Sequence, residues 1–471
     1  MAPRATKVRG GELLGKGAFG CVFEPRIPCS DEPTNMYDPS SGHVGKVIRD
    51  HNEFAKELNI LNYINTVVDP TSKFTNKLVK SCKVYNNAIR RTQGSDASKC
   101  EFVAQDDPNT VYDQIVQKHR ATMDFEQYLE RPDTRMFDAK GVQIWLDLAQ
   151  ALKQFAMHEL CHYDLKPENV LVTDNNKPRF LLNDFGRTTK FDTVYVSDPN
   201  KKRGPHGSYY EANIRTGINI DILPPELQLA SYHAQYTGRQ GNQPMPKQSL
   251  EWYKKACKTF VENDYVPNSE FLKLWAHPVL NYLFLVGITR QNFIDQFNAY
   301  AQSFAYLWFS STDEEMNDFY RSIARKVDVF GFGVMVMICV AEPYRTRPNA
   351  QWSTEEIHIR DEFMRIARGC MHGNPLDRMS VDDLIQDLTR LKRTKGVQRI
   401  PSRRPTGLHE YVHASTGMFS HMRPSPSAPP SPSPSKKVTG LFSNLRPPSS
   451  SPSRDGGKKS NKKTKPVRKK T

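Results

Sequence analysis

The chain has 471 residues, 38% of them hydrophobic, with 24 Phe and 19 Tyr, which is enough apolar mass for a substantial core and excludes a wholly disordered protein. The net charge of +15 points to a nucleic-acid binder only until it is located. Residues 397–471 carry 16 Lys and Arg against Glu410 and Asp455, so the first 396 residues are close to neutral and the basic character belongs to a tail.

The eight cysteines, at 21, 29, 82, 100, 161, 257, 339 and 370, form no CxxC pair, which argues against zinc and fits a reducing, intracellular setting. No secretory leader is expected at the N-terminus, and the longest apolar runs, 279–288 and 329–341, are too short to span a bilayer, so no transmembrane segment is expected.

Residues 10–48 predict strand, glycine turn, strand, loop, strand. The turn, Leu14-Gly-Lys-Gly-Ala-Phe-Gly-Cys-Val22, has glycines at 15, 17 and 20 whose bare backbone can approach a phosphate. Dinucleotide-binding folds share this spacing, but there a helix follows, whereas Cys-Val-Phe favours a strand. Lys46 lies in the apolar strand Val44-Gly-Lys-Val-Ile48, where a lone lysine is often only an edge charge. A helix is predicted over 52–65 from the spacing of Phe54, Leu58, Leu61 and Ile64. That helix carries Glu57 and, one turn earlier, Glu53 as competing candidates for a carboxylate near Lys46; a solvated helix face is the plain alternative for both. Residues 100–104 and 111–117 read as two strands.

Residues 138–160 predict an amphipathic helix through Trp145, Leu148, Ala149, Leu152, Phe155 and Ala156. It delivers the chain into Cys161-His-Tyr-Asp-Leu-Lys-Pro-Glu-Asn-Val-Leu-Val172. That run offers a candidate base, Asp164, a cation, Lys166, and an amide metal ligand, Asn169. Leu182-Asn-Asp-Phe-Gly186 adds a carboxylate, Asp184. Together these are the parts needed to hold a magnesium triphosphate and aim a hydroxyl at it, since magnesium prefers hard oxygen donors. Asp164 and Asn169 could instead only stabilise a turn, but four required residue types in order argue against that.

Residues 327–341 are apolar all round and predict a fully buried helix; a last helix is expected over 380–394. Beyond 400 the chain turns to Pro, Ser and Lys and is expected to be disordered. Ser425, Ser431, Ser433 and Ser451 precede prolines, and Lys458 to Lys470 forms a basic block. Such a block suits an acidic partner, nucleic acid, acidic lipid or a nuclear address, and equally a solubilising tail. No aromatic residue interleaves it, so base stacking is not suggested.

The 161–172 and 182–186 runs, in this order, resemble the catalytic loop and metal-binding motif of eukaryotic-type protein kinases. The resemblance implies an α+β, two-lobed fold: a small β-rich N-lobe over 8–118, a larger helical C-lobe over 119–396 with a helical insertion at about 227–326, and a disordered Pro/Ser/Lys-rich tail over 397–471. It implies that Leu14, Gly15, Gly17, Gly20, Val22, Lys46 and Glu57 line the ATP site, with the hinge at Gln117 or Lys118. It also implies that Asp164, Lys166 and Asn169 are catalytic and that Asn169 and Asp184 hold Mg2+. The segment between Ile64 and Cys100 is longer than such a fold needs and is expected to carry an inserted loop. Pro224-Pro-Glu226 is similar to the motif that closes the activation loop, Arg378 to its buried partner, and Asp328 to the aspartate that supports the catalytic loop. Glu226 and Arg378 favour a protein substrate over a small molecule or lipid, and Lys166 favours Ser/Thr over Tyr.

Tyr163 departs from the pattern, which has Arg before the aspartate, and Thr216-Gly-Ile-Asn-Ile-Asp-Ile-Leu departs from the usual substrate-binding sequence. The 227–326 segment reads equally as a docking subdomain or as padding. These departures resemble the protein kinases of large DNA viruses. The expected activity is ATP-dependent Ser/Thr protein phosphorylation inside a cell, in cytoplasm, nucleus or, for a viral protein, host cell or virion. The alternatives are a pseudokinase-type nucleotide-binding scaffold, a small-molecule or lipid kinase, or a nucleic-acid-binding protein driven by the tail.

Overall fold

The computed structural model describes residues 11–393, apart from 18–19, 34–35, 132–135, 137–138, 174–177, 192–223, 230–247, 270–271, 273–288, 347–352 and the single positions 120, 122, 130 and 312. The expected tail and the 216–223 stretch lie outside the described residues. The described part is mixed α+β, with an N-terminal sheet followed by a mainly helical region.

The sheet has five antiparallel strands in the order β1 (Glu12–Lys16), β2 (Gly20–Glu24), β3 (His43–Ile48), β5 (Val111–Lys118), β4 (Leu78–Tyr85). Strand alternation gives its two faces different chemistry. Lys46 stands opposite Val22 on one side and Ile115 on the other, so these three share a face. Cys21, Val47 and Gln114 are likewise opposite one another and share the other face. Gly20 allows close approach here, since a Cβ would fall 2.6 Å from the Val47 carbonyl oxygen. A Cβ on Gly45 would collide with the Gln114 side chain, which crosses the sheet at that point.

Helix α1 (His51–Tyr63) follows β3 and is capped by Asp50, whose carboxylate accepts from the Asn52 and Glu53 N–H groups at 2.8 and 3.2 Å. Between β4 and β5 the chain forms α2 (Asn86–Gln93), a short turn (Gly94–Lys99) and α3 (Glu101–Gln105). These cover the second face of the sheet, where Phe23, Val47, Val84, Ile89, Cys100 and Val103 build a small core.

One expectation is corrected here. Residues 100–104 are helix rather than strand, because Cys100 and Val103 turn inward onto the sheet instead of pairing with it. The stretch between Ile64 and Cys100, expected to carry an inserted loop, also holds regular structure. It supplies β4, whose alternation is obscured by Lys80 and Lys83, and the covering helix α2.

The helical region begins with β6 (Met123–Asp124), α4 (Phe125–Leu129) and α5 (Ala139–Met157). Short strands β7 (Leu160–Cys161), β8 (Val170–Val172), β9 (Phe180–Leu182) and β10 (Thr189–Lys190) bracket the polar loops. Then come α6 (Leu250–Thr259), α7 (Arg290–Ser310), α8 (Asp313–Ala324), α9 (Val327–Thr346), α10 (Thr354–Cys370) and α11 (Val381–Arg393).

Trp145 of α5 is fully buried, with Phe125, Phe180, Phe332 and Phe363 at ring distances of 5.7, 5.8, 5.1 and 5.8 Å. Residues 329–339 of α9 are buried on every side or nearly so, as the apolar run predicts. The described part of 227–326 is helical and has its own aromatic core, in which Phe297 lies 4.9 Å from Tyr265 and 6.2 Å from Tyr300. Among the described residues no helix is long and apolar enough to cross a membrane.

Candidate active site

Lys46 projects from β3 on the Val22 face and joins two carboxylates. Its Nζ lies 2.8 and 2.9 Å from the two oxygens of Glu57 on α1, and 2.9 Å from Asp184 Oδ1. Glu57, rather than Glu53, therefore carries the carboxylate bonded to Lys46. Burial disfavours charge on Lys46, but Asp184 and Glu57 outweigh it and raise its pKa. Burial raises Glu57 despite the neighbouring ammonium. Burial also opposes ionisation of Asp184, yet Lys46 dominates and holds its carboxyl at about 2, with Lys166 and His162 contributing. Asp184 is thus an anion at neutral pH, and its side chain is 42% exposed.

Asp164, Lys166 and Asn169 form a second group on the loop between β7 and β8. The Asn169 amide nitrogen donates to Asp164 twice, to its carbonyl oxygen at 2.8 Å and to its carboxylate at 2.7 Å. That leaves the Asn169 amide oxygen as a hard donor atom for a cation. Lys166 Nζ stands 3.5 Å from the Asp164 carboxylate.

Asp328, in the first turn of α9, fixes the base of this loop. Its carboxylate accepts the His162 N–H at 2.7 Å and the Tyr163 N–H at 3.0 Å, and Cys161 Sγ lies 3.4 Å away. Gly331, one turn further, lets α9 approach Leu165 of the same loop.

The two groups are wired to each other. The Asn183 N–H donates to the Asn169 carbonyl at 3.0 Å, and the His162 Nε2 lies 3.0 Å from the Asn183 carbonyl oxygen. His162 also packs edge-on against Phe185 at 5.5 Å. His162 and Asn183 carry this coupling, and no role was expected for either. Both stand inside the quoted motifs, and position within a motif was the only available signal.

Tyr163 and Asp184 both have left-handed backbones, with φ of 62° and 58°. Such conformations cost about 1–3 kcal/mol each and persist where surrounding structure over-determines them. Here the Asp328 carboxylate and the Lys46 ammonium supply that constraint.

Gly15 lies within β1 opposite Val22 and Gly20 opens β2, with Gly17 between the strands, where its N–H donates to the Gly20 carbonyl at 2.9 Å. Val22 is half-buried beside Lys46, and Leu14 is exposed at 39%. Gln117 is buried at the end of β5, and the Lys118 N–H bonds to the Lys77 carbonyl at 2.9 Å.

Glu226 and Arg378 form a buried two-point ion pair, with a second bond of 2.9 Å, and both side chains have no exposure. Among the described residues no three His, Cys, Asp or Glu side chains cluster as a metal site. A site of one carboxylate and one amide does not require such a cluster, because a cation bound to phosphates draws further oxygen donors from them.

No protein-family model matches the chain, and no curated protein matches it in sequence.

Proposed function

We propose that the chain is a magnesium-dependent serine/threonine protein kinase with a two-lobed, kinase-like fold, transferring the γ-phosphoryl group of ATP to protein hydroxyls. The observation that carries this reading is Lys46 bonded at once to Glu57 and Asp184, on the face of the sheet next to the glycine turn. A lysine held in this way is positioned for the α- and β-phosphates.

Asp164 is the group that receives or orients the hydroxyl proton, and Lys166 beside it offsets charge on the transferring phosphoryl group. Asn169 and Asp184 would hold magnesium, which would neutralise phosphate charge when bound. The buried Glu226–Arg378 pair favours a protein substrate over a small molecule or lipid. Tyr163 stands where the resembled pattern has Arg. It offers no cation to a phosphorylated loop, which favours control by something other than activation-loop phosphorylation.

The test is transfer from labelled ATP with magnesium to a mixed protein panel, followed by phosphoamino-acid analysis. Label on Ser or Thr, lost in Asp164→Ala and Asp184→Ala, supports the reading. Label on Tyr overturns the substrate class, and nucleotide binding without transfer favours a scaffold.

A further inference from the structure

The glycine turn that the proposed function assigns to phosphates is held from behind by a covalent and polar brace. Cys21 follows Gly20 directly and points to the second face of the sheet, where it is bonded to Cys100 at the start of α3. Cys29, in the loop after β2, is bonded to Cys82 on β4.

Hydrogen bonds from the same covering segment reach the same hairpin at three more points. The Gly11 N–H donates to the Thr92 carbonyl at 3.2 Å, the Leu13 N–H to the Asp96 carboxylate at 3.0 Å, and Gln93 Nε2 to the Pro25 carbonyl at 2.8 Å. Gln114 ties the second disulfide to β5: its Nε2 lies 3.4 Å from Cys82 Sγ and 2.9 Å from the Ile27 carbonyl oxygen. The other four cysteines, 161, 257, 339 and 370, are buried in the helical region and take no part in these two disulfides. Among the described residues, both cross-links therefore lie in the N-terminal sheet region, one on the hairpin itself and one on the loop that follows it.

We propose that the β1–β2 hairpin is a redox-controlled element. The Cys21–Cys100 and Cys29–Cys82 bonds hold it in the form that binds nucleotide, and two-electron reduction of each bond releases it. This rests on the nucleotide reading of the glycine turn.

The co-reactant is a small-molecule disulfide such as oxidised glutathione. One cysteine thiolate attacks its S–S bond and expels a thiolate, and the second cysteine then displaces the remaining half. Each pair becomes a disulfide while the oxidant becomes two thiols that take up the two protons. Exchange requires access. Cys21 and Cys100 are 2% and 0% exposed, whereas Cys82 is half-buried. Reduction therefore opens Cys29–Cys82 first, and Cys21–Cys100 only after α2 and α3 lift.

The experiment uses the full chain equilibrated in oxidised or reduced glutathione, acid-quenched, alkylated and mapped by mass. Binding of a fluorescent ATP analogue and amide hydrogen exchange over 12–24 are read in parallel. Oxidised protein is expected to show both linkages, to bind the analogue about tenfold more tightly than reduced protein, because a pre-organised site binds at lower cost, and to exchange more slowly over 12–24. The double variant Cys82→Ser, Cys100→Ser should bind like the reduced wild type in either buffer.

Eight free thiols in oxidised glutathione, or equal affinity in the two states, overturns the proposal. If neither state binds the analogue, the nucleotide reading fails. The brace is then judged by hydrogen exchange alone, which needs no ligand and no variant, and unchanged exchange over 12–24 on reduction overturns it.

Discussion

The N-terminal sheet and the helical region are held together by different kinds of force. The sheet depends on groups that respond to conditions: two disulfides, the Lys46 ion pairs, and the Arg26–Glu32 pair at 2.6 Å. The helical region is built on rings and aliphatic chains around Trp145 and Phe297, and among its described residues the Glu226–Arg378 pair is fully buried while others, such as Arg365–Asp387 at 2.9 Å, are partly exposed. Apolar burial is indifferent to pH and redox state, whereas ion pairs and disulfides are not. A molecule built this way has a steady platform and a conditional partner, and the candidate site draws residues from both.

The largest expected effect crosses that divide. Asp164→Asn should lower phosphoryl transfer by about 10²–10⁴-fold, measured with labelled ATP, while leaving the melting temperature close to wild type. Unchanged transfer would remove Asp164 from its role.

Arg378→Ala should leave Glu226 as an uncompensated buried carboxylate and cost about 3–5 kcal/mol, measured by urea unfolding. A loss below about 1 kcal/mol would place the pair in the weak, solvated class. Phe297→Ala should cost a similar amount, about 3–5 kcal/mol, and the loss should be the same in oxidised and reduced buffer. A redox-dependent loss would blur the contrast between the regions.

Acid sharpens it from the other side. Arg26 holds Glu32 at about 2 against an ordinary value of 4.5, even though burial opposes its ionisation. The folded pKa is depressed, so the stabilisation is present above 4.5 and lost as pH falls towards 2. The shift corresponds to about 3 kcal/mol, and Glu32→Gln should flatten the acid limb of a circular-dichroism titration by about that amount.

The smallest effect belongs to a helix cap. Ser353 accepts the Glu356 N–H at 3.1 Å while Glu356 bonds back to Ser353, so Ser353→Ala should cost about 1 kcal/mol. Calorimetry would detect it as a small fall in melting temperature.

Elements carried by strong periodicity were legible from the chain. Helix α5 and the buried α9 fall where their apolar patterns predict, and the strands around the glycine turn do so as well. The 101–105 helix and β4 were not legible, because a short apolar run carries no period and lysines at 80 and 83 interrupt the strand alternation.

At the site, the sequence order of Asp164, Lys166, Asn169 and Asp184 pointed to one locality, and the structure places them in two bonded groups joined through Asn183. The disulfides could not be read. Their partners are 79 and 53 residues apart, and only the fold of the sheet brings them together.

The Glu226–Arg378 bond has a consequence in polymer terms. It closes a circuit of 152 residues by fixing both ends of the intervening chain with a buried two-point contact. The entropy of closing a flexible circuit grows only with the logarithm of its length, about 0.6 kcal/mol for each doubling. Once such a clasp is in place, lengthening the chain between its ends carries little thermodynamic penalty. The clasp thus makes room for helices α6 to α8 without loosening the loop that Asp328 holds.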